Sequence, residues 1–182
     1  MAFLDLVRRR RSIRSYRPDP VPRPVLDVCL EAVRLAPSAC NSQPWQFIVV
    51  DEPSLKASLA EAAFSGIYSM NAFAAQAPVL VAVVRESSKY TARLGGLFRG
   101  IPFNLMDIGI SVEHFCLQAT EAGLGTCWLG WFNEREVRRV LGLGRRTGIA
   151  TMLSVGYPAY QPGSDSPRKP TTECRRYNNE AG

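Results

Sequence analysis

A single histidine, His114, and five cysteines that never form a C-x-x-C pair leave this 182-residue chain poorly equipped for most hydrolytic and metal chemistry. Cys29, Cys40, Cys116, Cys127 and Cys174 are odd in number and scattered, so neither a disulfide framework nor a zinc or iron-sulfur site is expected. Long apolar runs are missing too. The longest, residues 77–84, falls far short of the roughly 20 residues that cross a bilayer, and no apolar h-region follows the charged N-terminus. No membrane association and a cytoplasmic address are the expectations. The glycines supply neither a P-loop nor a dinucleotide fingerprint. Gly123-Leu124-Gly125 lies between a helix pattern and a strand pattern, the reverse of the strand-to-helix order that cradles a pyrophosphate.

What the chain has in quantity is arginine near its start. Arg8, Arg9, Arg10, Arg11, Arg14, Arg17 and Arg23 carry much of the net charge of +6. Within Arg10-Arg11-Ser12-Ile13-Arg14 the forked donors and a hydroxyl suit a phosphate monoester, since a guanidinium can bond two oxygens at once. A solvated basic face is the competing reading. No helix-turn-helix, zinc-finger or RNP pattern accompanies the cluster, so no nucleic-acid partner is expected. A second basic pair, Arg168-Lys169, lies in a Pro- and Gly-rich tail that cannot form a packed core by itself.

The other informative segment is Pro37-Ser38-Ala39-Cys40-Asn41-Ser42-Gln43-Pro44-Trp45, small and amide side chains between a helix pattern and a strand pattern. Held between two rigid elements, such a loop can present hydrogen-bonding groups to a ligand; an ordinary Ser/Asn-rich turn is the alternative. Cys40 reads as structural, because nothing marks His114 as the partner of a nucleophile.

Periodicity predicts helices over residues 3–9, 24–36, 54–63, with a Ser54 cap, and 134–141, and strands over 46–50, 79–84, 126–129 and 149–155. The 79–84 run is apolar on both faces and is expected at the centre of a sheet. Ile101, Leu105, Ile108, Val112, Phe115, Ala119 and Ala122 mark the longest helix, closed by Gly123. Gly109 and Ser111 within it suggest a close approach to its backbone. So apolar a helix is either covered by a second subunit or runs through the middle of the monomer. The alternation predicts an α+β layered single domain over residues 1–182, whose irregular tail begins near residue 158.

Four segments in order resemble the FMN-dependent nitroreductase family over nearly the whole length. They are Arg10 to Tyr16, Ala36 to Trp45, Ala122 to Gly130, and Val155-Gly156-Tyr157-Pro158 followed by Arg168-Lys169-Pro170. The resemblance implies a three-layer α/β/α sandwich with a central mixed sheet. It also implies a homodimer with FMN in each of two interface clefts, the tail of about 158–182 packing on the partner subunit. Arg10, Ser12 and Arg168 would hold the phosphate, with Arg11 and Lys169 behind them, and Arg14 would face the pyrimidine side of the flavin. Pro37, Ser38, Ala39, Asn41 and Gln43 would be laid beside the ring and ribityl chain by the partner subunit, and a backbone amide at Leu129 or Gly130 would meet N5.

Two departures stand out. Gly130-Trp131 replaces the acidic residue and glycine of larger relatives, so Trp131 narrows the acceptor pocket in this reading, with Phe98 and Phe103 as further acceptor contacts; ordinary core packing is the alternative for all three. Residues 71–75 also lack the lysine that some relatives have there. The implied activity is reduction of nitroaromatics, quinones or similar small electron-poor acceptors by NADH or NADPH in a ping-pong mechanism, with no catalytic side chain and no metal. An enone reductase or dehydrogenase of the same fold, and a flavin-storing or redox-sensing protein without efficient turnover, are the alternatives.

Overall fold

The computed structural model describes residues 2–86, 101–160 and 167–178. Four strands form one sheet in the order β1-β2-β4-β3: β1 Trp45–Val50, β2 Val79–Arg85, β3 Gly125–Leu129 and β4 Gly148–Gly156. All three strand pairs are antiparallel. The expected mixed character is thus not in this ladder, and among the described residues parallel pairing is confined to an isolated bridge between Ser12 and Thr126.

Alternation along β2 explains the layers. Val79, Val81 and Val83 point into one apolar cluster, with Val33 of α2 (Arg23–Arg34) and Val112, Phe115 and Ala119 of α4 (Phe103–Glu121). Leu80 and Ala82 point into another, with Leu59 and Ala63 of α3 (Pro53–Phe64) and Val137 of α5 (Glu134–Val140). A strand buried on both faces needs apolar residues at every position, and residues 79–84 supply them. Helices cover both faces of the sheet, the α+β sandwich that the pattern predicts.

α1 (Phe3–Arg9) packs along α4, and a short helix α6 (Thr171–Cys174) lies in the tail. α3 is capped two residues earlier than expected. The Glu52 carboxylate accepts from the Ser54 and Leu55 amides and Pro53 takes the first helical position, so Ser54 lies inside the helix. α4 ends as predicted. Gly123, at φ +78, passes its N–H to the Thr120 carbonyl, and Leu124 to that of Ala119, the paired bonds of a left-handed helix stop.

Candidate functional site

The N-terminal basic segment is stitched to the β3 end of the sheet. Ile13 N–H donates to the Thr126 carbonyl at 2.9 Å, Arg17 N–H to that of Tyr157 at 2.9 Å, and Ala159 N–H to that of Ser15 at 3.0 Å. Tyr16, buried, donates through Oη to the Ile13 carbonyl at 2.6 Å and lies 2.8 Å from Ser154 Oγ. Burial pushes its phenol far above the ordinary range, so it stays a neutral anchor. Two motif glycines make room for this strap. A Cβ at Gly125 would lie 2.5 Å from Ile13 Cγ1, and one at Gly156 would lie 2.4 Å from Pro78 Cδ and 3.1 Å from Tyr16 Cδ1.

The strap gathers the predicted anion-binding groups. Burial pushes the Cys127 thiol of β3 up, while the charges of Arg14 and Arg10 and a hydrogen bond from the Ser12 side chain oppose that rise. Arg10 Nε lies 3.3 Å from Glu113 Oε1 of α4, and Arg11 Nη1 donates to the Arg10 carbonyl at 3.0 Å. Burial also raises the Glu113 carboxyl, which weakens its claim on Arg10. The Arg14 guanidinium lies 6.0 Å from the centre of the Phe73 ring, at the outer reach of a cation–π contact.

Leu129 and Gly130 extend β3 from the same strap. The Leu129 side chain is buried and its carbonyl accepts from Thr151 Oγ1 at 3.2 Å, facing inward. Gly130 is exposed, and a Cβ there would meet nothing within 4 Å. Beside it stands Trp131, expected on the acceptor side, held by partners that sequence reasoning missed. Trp131 Nε1 donates to the Ile67 carbonyl at 3.1 Å, Asn71 Nδ2 donates to the Trp131 carbonyl at 2.9 Å, and the Tyr68 and Trp131 rings lie 5.2 Å apart. The 3-10 segment Gly66–Gln76 is thereby latched to the turn after β3. Its weak amphipathic pattern gave no helix or strand signal. Trp131 still has half its surface exposed beside Gly130.

The loop at residues 37–43 has a demanding backbone. Cys40, Asn41 and Gln43 all have φ near +50. Asparagine tolerates that region, whereas such a conformation costs other side chains about 1–3 kcal/mol each. Gln43 N–H donates to Ser38 Oγ at 2.9 Å, Ser42 Oγ donates to the Ala39 carbonyl, and Ala39 N–H donates to Asp107 Oδ1 at 3.1 Å. At about 1 kcal/mol apiece these bonds no more than offset the strain. Asp107 is 5% exposed and its Oδ2 is buried with no hydrogen-bond partner among the described residues, at a cost of about 1–3 kcal/mol. The signal for it lay in the sequence: Asp107 and Ser111 place polar groups four residues apart on the buried stripe of α4.

The structure therefore gathers Arg10, Arg11, Ser12, Arg14, Leu129 and Gly130 on the β3 side. Pro37, Ser38, Ala39, Asn41 and Gln43 lead into β1, at the opposite edge of the sheet. Arg168 and Lys169 are exposed, with Arg168 Nη1 donating to the Pro167 carbonyl at 3.4 Å, and they are not gathered with the strap. Phe103 is half-buried at the start of α4, and Phe98 lies outside the described residues. Among the described residues nothing comes within 4 Å of a Cβ built at Gly109, and Ser111 is buried with its hydroxyl on the Ile108 carbonyl.

The model of the nitroreductase family matches residues 7–157, which takes in the strap, the loop and the β3 turn. The chain belongs to the nitroreductase family. Among its family relatives, an NADH dehydrogenase from Thermus thermophilus is 32% identical and the match covers 89% of each chain. An iodotyrosine deiodinase from Thermotoga neapolitana is 25% identical over 96% of each. A nitroreductase family protein from Clostridium difficile 630 superposes with a TM-score of 0.78 at 27% identity, covering 98% of this chain and 99% of its own. The fold is shared with a protein from Exiguobacterium sibiricum solved in complex with FMN, at a TM-score of 0.80, 22% identity and 98% coverage of both. Among the described residues no helix is long and apolar enough to cross a membrane, and no group of His, Cys, Asp and Glu side chains could hold a metal ion.

Proposed function

We propose that the protein is an FMN-dependent NAD(P)H oxidoreductase that works as a cytoplasmic homodimer and reduces a small electron-poor acceptor such as a nitroaromatic or a quinone. The observation that carries this reading is the strap. It bridges to β3 between Ser12 and Thr126 and carries Arg10, Arg11 and Arg14, and the far end of the same strand leads into Gly130, exposed and without a side chain. That donor set fits a phosphate monoester next to a flat ring, and the family relatives named for NADH and FMN chemistry support the same assignment. Bound FMN would supply the hydride and electron chemistry, leaving the chain's own residues to bind and orient the reactants.

Each group then has a positioning task. Arg10 and Ser12 would hold the phosphate with Arg11 behind them, and Arg168 and Lys169, which stand apart from the strap within one chain, would close over it from the tail of the second subunit. Arg14 places a positive charge where negative charge collects on reduction, the electrostatic form of stabilisation that costs no rearrangement during reaction. Gly130 leaves the ring's reactive edge open to the backbone. The loop from Pro37 to Gln43 reaches a cofactor held by the other subunit, because its own strand lies at the opposite edge of the sheet from the strap. Trp131, pinned by its two hydrogen bonds, limits the space on the acceptor side. The donor reduces the cofactor and leaves before the acceptor enters.

The test is the visible spectrum of the purified protein after reconstitution with FMN, followed by anaerobic addition of NADH or NADPH. Flavin bands that bleach with one nucleotide and return on adding a nitroaromatic or a quinone are the expected result, and a halotyrosine in the acceptor panel addresses the deiodinase likeness. Failure to take up FMN would end the proposal. Uptake without bleaching by either nucleotide would reduce it to flavin storage or sensing.

A further inference from the structure

We propose that Asp107 is the positioning residue that fixes the loop at residues 38–43 in its binding shape, acting through the Ala39 amide. That the loop serves a flavin rests on the function proposed above; that Asp107 shapes it rests on geometry alone. Asp107 sits on the buried stripe of α4, next to Ile108, where an apolar side chain would otherwise pack. It is almost wholly buried, Oδ1 takes the Ala39 N–H at 3.1 Å, and Oδ2 has no hydrogen-bond partner among the described residues. A carboxylate in such surroundings is poorly compensated, so the contact with the loop is what its presence secures.

The loop needs an external hold. Cys40, Asn41 and Gln43 all lie in the left-handed region, against the preference of at least two of them. The bonds from Gln43 N–H to Ser38 Oγ and from Ser42 Oγ to the Ala39 carbonyl stay within the loop and travel with it. The bond to Asp107 differs, because it ties the turn to a packed nineteen-residue helix. It does so at Ala39, the residue just before the first left-handed one, where a fixed amide sets the direction of the whole turn.

Cys40 reports on that turn without any cofactor. Its thiol and that of Cys174 in the tail are exposed, while Cys29, Cys116 and Cys127 are buried. The experiment is alkylation of the apo protein with iodoacetamide, read by peptide mass spectrometry as the ratio of Cys40 to Cys174 modification. Two variants break the bond from opposite ends. D107A removes the acceptor, and A39P removes the donor. Proline is tolerated at the start of the turn, and Ser38, at φ −148 and ψ 155, already has the extended shape that precedes proline.

Each variant is expected to shift the ratio by about fivefold or more, the size expected from losing one hydrogen bond. The double variant should go no further than the larger single one, since both delete the same interaction. FMN affinity of the apo protein, measured by quenching of flavin fluorescence, should fall in both singles. A wild-type ratio in D107A, or effects that multiply in the double variant, would overturn the assignment. If D107A does not fold, A39P decides: a wild-type ratio there overturns it as well. A wild-type protein that takes up no FMN sinks the flavin reading and leaves the alkylation test standing.

Discussion

Gly125 shows how one residue without a side chain governs a site some distance along the chain. Ile13 fills the space beside it, and Ile13 separates Ser12 from Arg14, so a methyl group at position 125 displaces both proposed cofactor contacts together. G125A is expected to destabilise by about 1–3 kcal/mol, as overpacking does, and to weaken FMN binding. The clash is with Ile13 Cβ as well as its branches, so rotation of the side chain cannot relieve it. Adding I13A to G125A should recover part of the stability, a non-additivity visible in urea unfolding. Arg14 tests the electrostatic half of the same strap. R14A should weaken FMN binding or lower the flavin potential, measured by titration and by equilibration with a reference dye; if neither moves, Arg14 has no part in the site. The Phe73 contact predicts a small effect on folding, because the ring centre is 6.0 Å away and a cation–π contact at that range is weak.

At the level of elements, the start of α3 makes a prediction with a definite sign. The Glu52 carboxyl is held below its ordinary value by the Ser54 and Leu55 amides. A carboxylate depressed in the folded state contributes stability that is present above its unfolded pKa and is lost as the pH falls through the folded one. E52A should therefore lower Tm at pH 7, and the gap from wild type should close on acidification through and below the ordinary glutamate range; a gap that stays constant to pH 3 would show that the charge does not matter. The same element shows what was legible in the sequence. Its apolar positions mark the helix and Ser54 reads as its cap, whereas hydrogen-bond geometry gives that role to Glu52. The nine predicted regular elements fall where the apolar period changes, and Gly123 closes α4 because its left-handed backbone suits glycine. The antiparallel ladder and the latch from Asn71 and Ile67 to Trp131 were not legible. Strand direction and contacts between segments far apart in sequence have no local period, and a 3-10 segment like Gly66–Gln76 has a poor one. Among site residues, the strap was readable because charge and hydroxyl groups crowd five positions, whereas Asp107 was marked only by falling, with Ser111, on the buried stripe of α4, a signal that does not name its partner.

For the whole molecule, the sheet order and the exposed surface lead to the same conclusion. The loop from Pro37 to Gln43 feeds β1 and the strap pairs with β3, and these strands are the two edges of the sheet. A second copy can bring one chain's loop to the other's strap. The surface such a copy would cover is present: Leu105, Met106 and Ile110 of α4 are exposed, with Phe3, Leu4 and Val7 of the adjoining α1. Gly109 lies on the same stretch of α4 with open space above it, so a partner could come close to the backbone there without meeting a side chain. I110E places a charge in the middle of that face while leaving the strap, Asp107 and the loop untouched. Sedimentation velocity followed at both the protein and the flavin wavelengths should show the wild type as a dimer carrying its flavin. The variant is expected to run as a monomer without absorbance at the flavin wavelength, and its far-ultraviolet spectrum should be unchanged because Ile110 lies outside both cores. Loss of flavin from a folded monomer would mean that each site is built from two chains. A monomer that sediments with a full complement of FMN would mean that the strap and Gly130 suffice, and the loop from Pro37 to Gln43 would then need another ligand.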